Sequence, residues 1–355
     1  MNLLLMCMSF FGMAFSQIVP PNSSYISYMG RFDTADSNEY ICSFPASSIT
    51  IHTNSQYVYA YLCDYAIDTA ESNYIEIIVD DSVYRTVQLF FSEKKRYLLA
   101  EFSDRKFRTI SLLKRTEGQV GSMGFFGFEC EKEARFSSIS TGEQKMLFIG
   151  NSITCGYGNE AHSAEQSFEA ETENAYMSYA AIAARSLNAE YHVIAYSGKG
   201  VYRNWEDTLF NQDCMPEVFR RTLALKPSDE WNHNRFLPDV VVINLGTNDF
   251  SPPCGAQKEL YISNYLEFLT YLLTQYPQSQ FVLVSSQMLE GENRANQIAW
   301  LQEIVQKINS SQVSVCVLSQ QGDVGYGADW HPNVAQNKIN ARELVSFIRY
   351  EIDKK

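Results

Sequence analysis

Basic residues are scarce in this chain. Over 355 residues, 28 Lys and Arg stand against 41 Asp and Glu, a formal net charge of −13. Phosphate backbones and anionic lipid surfaces select for basic faces, so this balance weighs against nucleic-acid partners and against tight membrane binding. A neutral or cationic substrate suits it better. CxxC spacing is also missing. Beyond Cys7 the cysteines (Cys42, Cys63, Cys130, Cys155, Cys214, Cys254, Cys316) form no zinc-ligand pattern, so no metal or other cofactor is expected. Disulfides remain open, because the sequence does not pair these thiols. No segment is apolar for long enough to span a bilayer. "GKG" at Gly198–Gly200 lacks both the P-loop spacing and the third glycine of a dinucleotide fingerprint. There is no internal repeat and no low-complexity linker.

What is present falls into three stretches. The start, "MNLLLMCMSFFGMAFSQ", is apolar for about a dozen residues although it has no Lys or Arg. Ala14 and Ser16 suit a cleavage site before Gln17, so residues 1–16 are expected to be a signal peptide and the protein secreted or periplasmic. Residues 17–140 read as an all-β sandwich. "SSITIHTNSQYVYAYLCDYAI", "NYIEIIVDDSVYRTVQLF", "KRYLLAEF" and "FRTISLLKRTEG" are rich in Ile, Val, Tyr and Thr, separated by polar turns, with no helical period. Residues 141–355 change rhythm, and the junction is expected near Phe136–Glu143. "MLFIG", "YHVIAYSG", "DVVVINLG", "FVLVSS" and "VSVCVLS" are short apolar runs, as for strands covered on both faces. Ile262, Leu266, Leu269 and Leu273 recur at helical spacing, as do Leu344, Ile348 and Ile352. Alternating β and α implies a parallel sheet with right-handed crossovers.

Ligands of such sheets bind beyond the carboxyl ends of the strands. Those ends carry "GNSIT", "YSGKG" and "LGTND", and "GADWHPN" precedes the last helix. They bring a hydroxyl (Ser152), a glycine amide (Gly198), a side-chain amide (Asn248) and an imidazole (His331). Ester hydrolysis needs these parts: a hydroxyl with a base to take its proton, and donors aimed at the oxyanion.

With "GNSITCGYGNE", "SGKGVYRNW", "GTND" and "DWHPN" in this order, residues 145–352 resemble the SGNH (GDSL-type) hydrolases. The preceding β-region, with "GRFD" at Gly30–Asp33 and "KRTEG" at Lys114–Gly118, makes the whole chain similar to carbohydrate esterase family 2. The resemblance implies a jelly-roll domain followed by a flavodoxin-like three-layer α/β/α hydrolase domain with a five-stranded parallel sheet. It implies removal of O-acetyl groups from plant-type polysaccharides or oligosaccharides such as xylan and glucomannan, with no obligate protein partner. By resemblance Ser152 is the nucleophile, His331 the base, and the Ser152 amide, Gly198 and Asn248 the oxyanion donors.

Two departures bear on the chemistry. Asn151 stands where the family has aspartate, in a positioning role. Ala328 occupies the position, three before the histidine, that normally holds the orienting aspartate. Asp329 is the remaining candidate, through its carboxylate or through a backbone carbonyl near it. Gly200 is the alternative oxyanion donor. His162, His192 and His233 are rival bases outside the matching blocks, Asp249 is a loop-fixing residue, and Cys155 is read as buried and inert. Trp330, Trp205 and Tyr157 are candidates for stacking on a sugar. Other esters, as for a lipase or thioesterase, and non-catalytic carbohydrate binding are the alternative functions. A reference histidine pKa of roughly 6.5 predicts that activity fades below about pH 6.

Overall fold

The computed structural model describes residues 16–353, apart from 69, 70, 140, 141, 143 and 228. The expected signal segment lies outside the described residues, except Ser16.

The first part is a sandwich of two six-stranded antiparallel sheets. Alternation within single strands builds its core. On strand Tyr57–Ala66, Val58, Ala60 and Leu62 are buried, while Tyr57, Tyr59 and Tyr61 lie on the partly exposed face. Ile49, Ile51, Ile75, Ile77, Ile110 and Leu112 of the second sheet meet Met123, Phe125 and Phe128 of the first in one apolar cluster. The last strand of the sandwich is Phe136–Ser137.

The parallel sheet begins at Gln144–Gly150. That strand lies between Ala189–Ala195 and Val240–Asn244, and Gln280–Val284 and Val313–Cys316 extend the far side. Each of the five apolar runs supplies one strand. They read as continuous runs because both faces are covered. Leu147, Ile149, Val241 and Ile243 face helices Lys258–Gln275 and Gly291–Ile308. Met146, Phe148, Val240 and Val242 face helices Tyr179–Ser186 and Val334–Asp353. Ala180, Ala181, Ala183 and Ala184 are all buried, and side chains this small let their helix lie close to its neighbours. Leu344 and Ile348 face the same core.

Two sandwich segments plug into the hydrolase half. Arg31 of "GRFD" is buried and donates through Nη1 to the carbonyls of Phe219 (2.5 Å) and Arg221 (2.7 Å). Lys114, Arg115, Thr116 and Glu117 of "KRTEG" are all buried. Arg115 pairs with Glu76 (2.9 Å) and Glu160 (2.5 Å) and donates to the Glu173 carbonyl (3.2 Å). Buried cations need such partners, because an unpaired charge away from water is strongly unfavourable.

Candidate active site

The strand Gln144–Gly150 delivers the chain to Asn151, which caps the four-residue helix Ser152–Cys155. The Asn151 side-chain oxygen accepts from the Ile153 amide at 3.2 Å. A Cβ on Gly150 would lie 2.0 Å from the Thr154 hydroxyl, so this tight entry requires glycine. Ser152 is nearly buried, and its hydroxyl lies 2.9 Å from His331 Nε2.

His331 Nδ1 faces two backbone carbonyls, Ala328 and Asp329, each at 3.1 Å. Carbonyls only accept, so Nδ1 carries the proton and Nε2 presents its lone pair to Ser152. Burial pulls the imidazole down to about 4, against the two carbonyls and the Asp329 charge, which favour protonation. A neutral imidazole in this tautomer can take the serine proton during attack.

The Asp329 carboxylate does not face the imidazole. It accepts from the Tyr157 hydroxyl (2.9 Å) and the Phe168 amide (3.1 Å). Asp329 therefore reaches His331 through its carbonyl, the second of the two routes open in the sequence. The cause is local backbone: Asp329 and Trp330 have φ of 47° and 55°. Asp tolerates this left-handed conformation better than most residues, whereas for the bulky Trp330 it is disfavoured. Here both residues are tied down by bonds from Asp329 N to the Gln166 carbonyl (3.0 Å) and from Trp330 N to the Ala164 carbonyl (3.3 Å).

Tyr157 lies against the base. Its ring packs against His331 on one side (centroids 4.2 Å) and Phe168 on another (4.5 Å). Burial and the Asp329 carboxylate push its phenol well up, so it remains a neutral donor. Packed in this way, the ring supports the imidazole. Phe168 gave no sign of this role in the sequence; it stands in no motif.

The other two loops are tied together. Gly150 pairs with Ala195 and Asn244 in the sheet, so the three strand ends lie level. Gly198 has φ +76°, a conformation suited to glycine. Neither its amide nor that of Ser152 donates a hydrogen bond to another described residue. The Asn248 side chain donates to the Lys199 carbonyl at 2.8 Å, which holds the amide beside the Gly198 loop. Gly200 is otherwise engaged: its amide points to Asn204 Oδ1 (3.4 Å), and a Cβ there would lie 2.0 Å from the Arg203 carbonyl. Asp249 is fully buried and accepts from the amides of Val201 (3.0 Å), Tyr202 (2.9 Å) and Arg203 (3.2 Å). Burial raises it to about 6, against these backbone donors. Arg203, also buried, donates to the Asp249 carbonyl at 2.6 Å. The sequence reading passed over it, because its partners become neighbours only on folding.

Trp205 and Trp330 are both about half exposed, at 53% and 54%. The Trp205 amide donates to the Gly198 carbonyl at 2.8 Å, and Trp330 precedes His331. The rival histidines are elsewhere. His192 is buried and stacked on Phe236, His233 lies between Tyr276 (2.7 Å) and Tyr271 (3.0 Å), and His162 is exposed. The seven described cysteines are unpaired, and burial holds the Cys155 thiol well above its usual range. Among the described residues, one trio, Glu117, Cys155 and Glu173, brings potential ligand atoms within 4.8 Å of one another.

A family model described as Carbohydrate esterase 2 N-terminal matches residues 28–139, and one described as GDSL-like Lipase/Acylhydrolase family matches residues 148–339. The Cellulase/esterase CelE of Acetivibrio thermocellus is 32% identical over 343 residues; the match covers 95% of this chain, which spans only 41% of that protein's length. An acetylxylan esterase / glucomannan deacetylase of Cellvibrio japonicus is 24% identical, covering 96% of this chain and 93% of that protein. A solved family two carbohydrate esterase from Clostridium thermocellum, in complex with cellohexaose, matches with a TM-score of 0.87 at 31% identity, over 92% of this chain and 99% of that one. With both halves matched and this level of identity across nearly the whole of a solved relative, the chain belongs to the GDSL-like lipase/acylhydrolases and, within them, to the family two carbohydrate esterases.

Proposed function

We propose that this protein is a serine esterase that removes O-acetyl groups from a plant-type polysaccharide or its oligosaccharides. The observation that carries the reading is the 2.9 Å contact between Ser152 Oγ and a neutral imidazole whose far nitrogen is held by two carbonyls. In the proposed reaction Ser152 attacks the acetyl carbonyl and His331 takes its proton. The oxyanion receives hydrogen bonds from the Ser152 and Gly198 amides and the Asn248 side chain. His331 then protonates the departing sugar oxygen, leaving an acetyl group on Ser152. Water, deprotonated by His331, hydrolyses that ester and restores the serine. Among the described residues no carboxylate contacts the imidazole directly, so the pair acts as a dyad oriented by the main chain.

The sugar substrate is supported by the half-exposed Trp205 and Trp330 flanking the site and by the activities in the names of the relatives. Export is part of the proposal, supported by the apolar N-terminal stretch and by a polymeric substrate too large to enter a cell. The test is acetate release from acetylated xylan and acetylated glucomannan, run side by side with aryl acetate and aryl butyrate. Release from a polysaccharide, acetyl preferred over butyryl, and no turnover by Ser152→Ala are expected. Preference for longer acyl chains would turn the reading toward a lipase. Normal turnover by a folded Ser152→Ala protein would remove it.

A further inference from the structure

The reaction proposed above leaves a group of buried ionisable side chains unused. Glu117, from the "KRTEG" plug of the sandwich, is 1% exposed, and Glu173, from the hydrolase half, is fully buried. Glu117 Oε2 accepts from the Ser197 amide at 2.7 Å, and its other oxygen bonds the Ser197 hydroxyl. Ser197 immediately precedes Gly198. Pinning both its N–H and its hydroxyl fixes the Ser197 Cα from which the next peptide unit departs, and the N–H of that unit is Gly198's. Glu173 Oε2 accepts from the Glu117 amide at 3.0 Å, while its Oε1 is buried with no hydrogen-bond partner.

The charges of this pocket do not balance if both acids ionise. Lys114 Nζ is the buried cation beside them, and it donates to the carbonyls of Thr116 (2.7 Å) and Glu117 (3.0 Å) and to the Thr116 hydroxyl (3.3 Å). Arg115 is already neutralised by Glu76 and Glu160. The other facing groups are the buried Asp64 carboxyl and Cys42 thiol on the Lys114 side, and the Cys155 thiol and the phenols of Tyr157 and Tyr196, these last three held neutral by burial. One cation against two buried carboxyls leaves one proton on the pair, since two adjacent carboxylates out of water cannot both ionise. The donors decide which acid keeps it. Glu117 is met by two donors from Ser197 and is the anion. Glu173 has an orphaned oxygen beside another carboxyl and is the acid. Burial raises both groups.

We propose that Glu117 is a positioning residue for ester hydrolysis: its carboxylate, supplied across the domain boundary and steadied by a protonated Glu173, sets the Ser197–Gly198 peptide that faces the oxyanion. This rests on the oxyanion role of Gly198 proposed above. The sandwich thereby contributes to the rate and not only to the shape of the cleft.

The experiment compares Glu117→Gln, Glu173→Gln and Ser197→Ala in the full chain, with aryl acetate as substrate and thermal melting to certify folding. Glu173→Gln keeps an oxygen to accept from the Glu117 amide and, like the protonated acid, carries no charge, so its kcat stays within about twofold of wild type at pH 7. Glu117→Gln can turn its amide N–H toward the Ser197 donors, so kcat falls about 10- to 100-fold, up to the loss of one oxyanion donor, with KM within about twofold. Should that variant fail to fold, Ser197→Ala removes only one contact and lowers kcat about two- to tenfold. An infrared band of a carboxylic-acid C=O at pH 7 is present in the wild type and absent in Glu173→Gln. Wild-type kcat in folded Glu117→Gln, or in Ser197→Ala where Glu117→Gln does not fold, overturns the proposal, as does the absence of that band. So does chelator-sensitive activity that Glu173→Gln abolishes, which would put a cation in the proton's place. Ser152→Ala separates the two levels: if it is inactive while Glu117→Gln turns over normally, only the positioning role fails; if it is active, the esterase reading fails.

Discussion

Acid titrates the base on which the proposed reaction depends, and the structure changes where that should occur. An ordinary histidine, with a pKa of about 6.5, would be only about 3% neutral at pH 5. His331 is half-buried and packed against Tyr157, and its withdrawal from water pulls it down to about 4. At pH 5 it would then be about 90% neutral, so kcat/KM there should exceed the ordinary-histidine expectation about 30-fold. The assay is kcat/KM for an aryl acetate between pH 3.5 and 8 at constant ionic strength. Folding must be followed in parallel. His192 and His233 are also held below their usual range by burial, His233 at about 4. With folded pKa values below the unfolded one, the stability these histidines contribute is complete above about pH 6.5 and is lost as pH falls toward 4. Tryptophan fluorescence recorded at each pH separates unfolding from titration. The expected acid limb lies near pH 4 to 5 in folded protein. A limb at pH 6 to 6.5 with the fold intact would refute the claim that burial sets this imidazole.

Other perturbations probe separate parts of the account. Asn248→Ala should lower kcat about 100-fold or more, with KM for a small ester little changed, as expected for one lost oxyanion donor; an unchanged kcat would exclude that role. Tyr157→Phe removes the hydroxyl that holds Asp329 while keeping the ring on His331. It should lower kcat about three- to tenfold, the loss of a hydrogen bond of about 1 kcal/mol, and leave polysaccharide KM alone; a rise in KM alone would restore the sugar-binding reading of Tyr157. Trp205→Ala and Trp330→Ala should each raise KM for the polysaccharide about two- to tenfold, from a stacking contribution of about 0.5–1.5 kcal/mol, with aryl acetate turnover near normal. Equal losses on both substrates would place these rings in the chemistry instead.

The parallel sheet was legible because each strand is buried on both faces and so appears as an unbroken apolar run, as Val240–Asn244 does. The two long helices at Ile262 and Leu344 announced themselves by period. The four loop tips were legible because short polar signatures follow directly after those runs. The orientation of Asp329 was not. It depends on two consecutive left-handed residues, Asp329 and Trp330, which a tryptophan does not suggest, and on bonds to Ala164 and Gln166 far away in sequence. The packing of Tyr157 was not legible, because an aromatic beside a catalytic block fits a sugar platform and a support for histidine equally well; its ring contacts with His331 and Phe168 form only on folding. The expected pH 6 limb rested on a reference pKa that ignores burial. Arg31 and Lys114–Glu117 were noticed only as family marks. Their partners, Phe219, Arg221 and Ser197, belong to the other half of the chain, so their work is visible only after folding.

The central claim is that the Ser152 hydroxyl is the activated nucleophile, and the most direct test is covalent labelling by a fluorophosphonate followed by peptide mapping. The account predicts one adduct, on Ser152, formed in proportion to lost esterase activity and slowed strongly in His331→Ala. An adduct on another residue, or full activity in protein labelled at Ser152, would contradict it.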